Sequence, residues 1–162
     1  MKTDFRKPAV DALIELAKKD DQIVFITCDV GFSFLEPLKE ILGKRYLNLG
    51  VTECSAMTIA SALALSGFKP YIYSMINFML FRPAEMVRNA VVCHNANVKI
   101  LGVSGSEKYK FLGFSHNLLH EEEDFDFCDN IGLSWYYPRT EDAARKVIFH
   151  SYNSNEPVYI RL

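Results

Sequence analysis

The sequence predicts an α/β domain with three layers, helices packed on both faces of a mainly parallel sheet. Three observations carry this expectation. Ile23–Thr27 (IVFIT) is a short continuous apolar run ending in Cys-Asp-Val-Gly, the pattern of a strand buried on both faces and followed by a loop. Lys7–Lys19 (KPAVDALIELAKK) instead places Val10, Leu13, Ile14 and Leu16 at helical spacing. The two kinds of segment then alternate along the chain, which is the sign of parallel strands joined by helical crossovers.

After the strand Ile23–Thr27 a short helix is expected at Ser33–Leu42, and a short strand at Tyr46–Leu49. Glu53–Ser66 (ECSAMTIASALALS) is rich in alanine and closed by Gly67, the residue that most easily ends a helix in the left-handed conformation. Its small residues predict a helix packed closely on all sides. A strand at Pro70–Ser74, a helix at Arg82–His94 and a strand at Val98–Val103 follow. Ser104–Asn117 reads as a long glycine-containing loop. A helix near Glu121–Asn130, a strand at Leu133–Tyr137, a helix at Glu141–Tyr152 and a strand at Val158–Arg161 complete the pattern.

With 162 residues the chain fits one domain, residues 1–162, and contains no linker, repeat or low-complexity tract. Its 49% hydrophobic and 23% charged residues are those of an ordinary globular protein, and a net charge of -2 gives no footprint for nucleic acid. No apolar run approaches the about 20 residues of a membrane span, and the start lacks the apolar core of a signal peptide, so the expectation is cytoplasmic. Cys28, Cys54, Cys93 and Cys128 form no metal-binding spacing and are expected to be small buried hydrophobes. Aromatic residues make up 13%, a surplus that points to a cofactor pocket or a large subunit interface.

Ligands on folds of this kind gather at the carboxyl ends of strands. The sequence has no GxGxxG, GxxxxGK[ST] or GxSxG, so the common nucleotide and hydrolase signatures are absent. His116 and His120 precede EEEDFDFCD, but carboxylates opening a helix oppose its dipole, and an acidic run is ordinarily a solvated face; no metal site is expected there. Glu53 has two readings from its local sequence alone. Thr52 can cap a helix, and a first-turn glutamate gains about 0.3–1 kcal/mol from the dipole. The alternative makes Glu53 a functional carboxylate. Downstream, Met75, Phe78 and Phe81 recur at every third position after a strand, a pattern that serves either as core or as an apolar slot for a heteroaromatic ring.

The segments FRKPAVDALIEL, ITCDVG, NLGVTECSAMTIASALALSG, SMINFMLFRPAEMVRNAV, NVKILGVSG, GFSHN and EPVYIRL, in this order, resemble the pyrimidine-binding domain of the transketolase family of thiamine diphosphate enzymes. N-x-G-[IV]-x-E and the aromatic-spaced segment after the next strand are the specific parts. The resemblance implies the thiamine diphosphate-binding pyrimidine-domain fold. It implies that Glu53 hydrogen-bonds a ring nitrogen of the aminopyrimidine, stabilising the tautomer whose imino group acts as the base. It implies that Met75, Phe78 and Phe81 pack around that ring, with Phe78 stacking, and that Asp29 lies toward the thiazolium. His116 matches a histidine that faces the substrate and can shuttle a proton, and Arg6 an arginine that binds a sugar phosphate.

Departures from the family pattern are as informative. Ser104 stands where a second histidine is usual, Leu112 where an aspartate reads a substrate hydroxyl, and no arginine follows the last strand. The G-D-G…N motif of the diphosphate-binding domain is nowhere in the sequence, and the family's C-terminal domain is also missing from it. The resemblance therefore implies one subunit of a split enzyme. A separate diphosphate-domain chain would hold Mg²⁺, in a heterotetramer or similar assembly. The expected reaction is two-carbon ketol or acyl transfer from a ketose or 2-oxo acid donor to an aldehyde-type acceptor. A 2-oxo acid decarboxylase or carboligase subunit and a non-catalytic interaction subunit are the alternatives.

Overall fold

The computed structural model describes residues 5–32, 34–105 and 107–162. Six strands form one sheet in the order β2-β1-β3-β4-β6-β5, with every neighbouring pair parallel. They are β1 (Ile23–Thr27), β2 (Tyr46–Asn48), β3 (Lys69–Met75), β4 (Lys99–Val103), β5 (Ser134–Tyr136) and β6 (Val158–Arg161). The interior strands β1 and β4 are buried along their whole length, as continuous apolar runs require when both faces are covered.

Helices α1 (Arg6–Ala17), α2 (Glu36–Leu42) and α6 (Glu141–Asn153) cover one face, packing Leu13, Leu38 and Ile148 on Phe25, Tyr73 and Leu101. Helices α3 (Glu53–Leu65), α4 (Ala84–Met86) and α5 (Glu123–Ile131) lie on the other, over Ile26, Ile72 and Ile100. The expected three-layer α/β/α architecture is present. The sheet order reverses direction twice, between β1 and β3 and between β4 and β6, and such points open crevices at the strand carboxyl ends.

Most elements fall within a residue or two of their sequence-based limits. The first residue expected in the second helix, Ser33, lies outside the described residues. The expected helix Arg82–His94 differs. Helical structure begins earlier with a wide π-type turn at Asn77–Phe81, in which Arg82 N–H donates to Asn77 O at 3.0 Å. It resumes as α4 and ends in a second wide segment, Val87–Val92. Single wide turns of this type re-aim side chains and occur often at functional sites. The loop Ser104–Asn117 is also partly helical, with tight turns over Glu107–Ser115 broken at Gly113, where φ is 67°.

Four further expectations are corrected. Helix α3 packs only one face: Ala56, Met57, Ala60 and Ser61 are buried, while Ile59 and Leu65 on the other side are exposed. Thr52 does not cap it, because its hydroxyl donates instead to Leu49 O at 2.8 Å. Cys28 and Cys128 are buried as expected, but Cys54 is half-buried and Cys93 exposed. The acidic run is not wholly solvated either. Asp124 is completely buried and takes bonds from Arg161 and Tyr159 on β6.

At the amino-terminal end of the sheet Lys99, 1% exposed, donates to Ser154 O and Glu156 O and so holds the α6–β6 connection to β4. Burial pushes its ammonium down to about 8. Lys69, Asp20 and Tyr152 form a second polar cluster at this end.

Candidate active site

The crossover from β2 to β3 runs through α3 and passes over β1, so the start of α3 is delivered to the crevice between β1 and β3. Glu53 occupies that start and is 2% exposed. The turns leading to it are tied together by Asn48, whose side-chain oxygen accepts from Asp29 N–H at 2.9 Å and Gly50 N–H at 3.1 Å. Asp29 itself has φ of 56°, the left-handed region that aspartate tolerates better than most residues. Its side chain is exposed at the rim.

The buried Glu53 carboxylate has a cationic partner, with Arg82 Nη1 donating to Oε2 at 2.7 Å. Coming four positions after Phe78 in the wide turn, Arg82 also lays its guanidinium 4.2 Å from the centre of the Phe78 ring. Phe78 meets His116 edge-on, the ring centres 4.9 Å apart. Glu53, Arg82, Phe78 and His116 thus form one continuous line of contacts from the first switch point toward the second. The Cys54 thiol donates to Arg82 O at 3.5 Å, fastening the wide turn to α3. Beside Glu53, burial and the carboxylate's charge push the Cys28 thiol up to about 11, so it is a neutral wall group at pH 7.

His116 is held from behind. Its Nδ1 lies 2.9 Å from Ser115 Oγ. Asn77 donates to Phe114 O and Asn117 O, and Asn117 donates to Tyr109 O and Gly113 O. Gly105 makes this return possible, since a Cβ there would lie 2.1 Å from His116 O and 2.4 Å from Asn117 Oδ1. Between the loop and the ends of β4 and β6 is a cavity of about 680 Å³, lined by Ser104, Lys110, Asn117, His120, Tyr137 and Arg161 among others. The loop turns Phe111 and Phe114 outward, 82% and 78% exposed, so part of the aromatic surplus lies on the surface of this chain.

The remaining expected site residues are less tightly grouped. Met75 ends β3, half-buried. Phe81 meets Phe127 of α5 edge-on, the ring centres 5.9 Å apart. Arg6 starts α1 on the opposite face of the sheet, its guanidinium 5.3 Å from the centre of the Phe34 ring. Sequence reasoning does not single out Arg82; its position four residues after Phe78 is the signal that points to it. Among the described residues no group of three or more His, Cys, Asp or Glu side chains is placed to hold a metal ion. No helix among them is long and apolar enough to cross a membrane.

An aminopyrimidine needs an acceptor for a ring N–H, an apolar face to stack on and a slot closed to water. The chain's own guanidinium, planar and nitrogen-rich, satisfies the same Glu53 acceptor and the same Phe78 face. The Glu53 acceptor and the Phe78 face together fit such a ring.

All-parallel strands, helices on both faces and a buried carboxylate at a switch point define a doubly wound α/β domain whose polar site lies at the strand carboxyl ends. The profile of the transketolase pyrimidine-binding domain matches residues 1–162, and the chain belongs to that family. It is 33% identical over 158 residues to an apulose-4-phosphate transketolase subunit of Phocaeicola vulgatus, covering 97% of this chain and 50% of that protein. It is 30% identical over 159 residues to the 6-deoxy-6-sulfo-D-fructose transketolase subunit SqwH of a Clostridium species, covering 97% and 48%. A solved split-gene transketolase, described as an inactive β4 tetramer, superimposes with a TM-score of 0.84 at 25% identity, covering 98% of this chain and 50% of that one. The chain thus spans about half the length of these relatives.

Proposed function

We propose that this chain is a single pyrimidine-binding domain serving as one subunit of a split, transketolase-like enzyme. The enzyme transfers a two-carbon ketol or acyl unit from a ketose or 2-oxo acid donor to an aldehyde-type acceptor. The observation that carries this is the Glu53 carboxylate, buried at the switch point and presented beside the stacking face of Phe78. When bound, thiamine diphosphate supplies the carbanion chemistry that such a transfer needs. Glu53 accepts a hydrogen bond from the aminopyrimidine, Phe78 stacks on it, and Met75 and Phe81 complete the apolar surround. Asp29 lies toward the thiazolium at the rim.

His116 binds or exchanges a proton with the donor oxygen, and the cavity lined by its loop neighbours Phe114 and Asn117 has the size of a small-molecule site. Arg6 contributes to the substrate's anionic end. The diphosphate and its Mg²⁺ are held by another chain, a reading supported by relatives named as subunits and by the split-gene structure. A cytoplasmic heterotetramer is the assembly that follows.

Ser104, at the cavity wall, and Leu112, partly exposed, stand where the family carries a second histidine and an aspartate that reads a substrate hydroxyl. That favours a donor other than the common ketose phosphates, including a 2-oxo acid. Assaying the assembled enzyme with ketose phosphates, hydroxypyruvate and pyruvate tests the reading. Turnover of a ketose, hydroxypyruvate or pyruvate that depends on an aldehyde acceptor supports two-carbon transfer, and turnover of pyruvate with no acceptor added replaces it with decarboxylation or carboligation. Inactivity with all three, together with no binding of thiamine diphosphate, reduces the chain to an interaction subunit.

A further inference from the structure

We infer that Arg82 is an internal placeholder for the incoming heteroaromatic ring, occupying the site until a cofactor displaces it. The inference rests on the proposed thiamine diphosphate reading and goes beyond it by assigning a residue that gates entry. A buried carboxylate left unpaired is unstable, and Glu53 is 2% exposed. Arg82 solves that problem by donating to Oε2 at 2.7 Å. It does so from a particular pose, with its planar guanidinium 4.2 Å from the Phe78 ring centre. Stacking on Phe78 and donating to Glu53 are the two contacts the aminopyrimidine needs, so ring and guanidinium cannot hold both at once.

The geometry also supplies an exit. The Arg82 side chain is 41% exposed, so its head reaches the site from solvent on a flexible stem. Its main chain stays fixed when the side chain swings out. Arg82 N–H is bonded to Asn77 O across the wide turn, and Arg82 O accepts from the Cys54 thiol. The device is therefore a side-chain latch on a rigid hinge. It gives Glu53 a partner before the cofactor binds and yields to a planar group able to donate to the carboxylate.

Cofactor binding by the assembled enzyme, this chain with its diphosphate-domain subunit, tests the latch. The probe is thiamine diphosphate with Mg²⁺, and the proteins are wild type, Arg82→Gln and Arg82→Lys. Because Arg82→Gln leaves Glu53 without its counter-ion and can lower stability, Arg82→Lys keeps the charge while removing the planar stack. The prediction is tighter binding in both variants, about fivefold or more for Arg82→Gln, arising from faster association. In the wild type, the Arg82 Nε–H NMR resonance should lose the ring-current shift of Phe78 when the cofactor is added. Binding that is unchanged or weaker in both variants, or an Arg82 resonance unmoved by bound cofactor, overturns the latch and leaves the cofactor reading intact. Failure of the wild-type assembly to bind thiamine diphosphate overturns both.

Discussion

The side-chain oxygen of Asn48 accepts the backbone N–H of Asp29 at 2.9 Å and so ties the turn after β1 to the turn before α3. The same oxygen takes Gly50 N–H at 3.1 Å, which makes one amide the junction on which the approach to Glu53 rests. Asn48→Ala should therefore destabilise the chain by about 1–2 kcal/mol, since these two bonds and the longer one from Asn48 Nδ2 to Asp29 Oδ1 are lost, each of modest net worth. Asn48→Asp keeps the acceptor but sets a second carboxylate against Asp29 Oδ1, which takes a bond from Asn48 Nδ2 at 3.4 Å, so it should recover only part of that. Urea unfolding of the three proteins checks the order.

Glu53→Gln should leave the melting temperature of the chain near that of the wild type, because the amide still accepts from Arg82 and the Arg82 head, 41% exposed, can be hydrated. Turnover of the assembled enzyme should fall roughly 100-fold or more, the usual scale for losing a group that directs proton movement. Steady-state kinetics beside a thermal scan separate the two effects. Near-normal turnover would remove Glu53 from the chemistry.

Gly105→Ala forces a methyl group against His116 O, which would lie 2.1 Å away without movement. The 107–117 loop must shift, carrying His116 off Phe78. Since a displacement of about 1 Å at a reacting group can cost up to about 100-fold, turnover should fall while the strands and α3 keep their protection in hydrogen exchange.

Stability should rise with pH through the titration of Lys99. Burial holds its folded value down to about 8, below the ordinary lysine value of about 10.4, so between these the unfolded chain binds more protons than the folded one. The gain is small at pH 7.5 and should reach about 1–3 kcal/mol by pH 10. Unfolding free energies at pH 7.5, 9 and 10 for the wild type and Lys99→Met check the sign. The difference between the two proteins should move in favour of the wild type as pH rises, and a constant difference would count against it.

The strands are legible because their apolar runs are short and local: β1 and β6 fall at Ile23–Thr27 and Val158–Arg161 as their sequences predict. Glu53 can be placed at a helix start for the same local reason. Its counter-ion cannot, because Arg82 is 29 positions away and reaches it only through a wide turn that the helical spacing does not announce. Asp124 is misleading for a related cause. A run of acids looks solvated until Arg161, 37 positions on, is brought beside it by the β6 return. The open face of α3 is hidden because small residues allow close packing without saying which side receives it.

That buried pair gives a further test. Arg161→Met strands the Asp124 carboxylate, which is 0% exposed, and should destabilise the chain by about 3–5 kcal/mol. Adding Asp124→Leu should restore much of the loss. Equal destabilisation by the single and double variants would show that the pair acts through packing alone.

The central claim is that this chain forms one half of a thiamine diphosphate site. Isothermal titration of thiamine diphosphate with Mg²⁺ into the isolated chain, and into the chain assembled with its diphosphate-domain subunit, tests it most directly. The account predicts saturable, Mg²⁺-dependent binding by the assembly and no tight binding by the chain alone. Tight binding by the isolated chain, or none by the assembly, would contradict it.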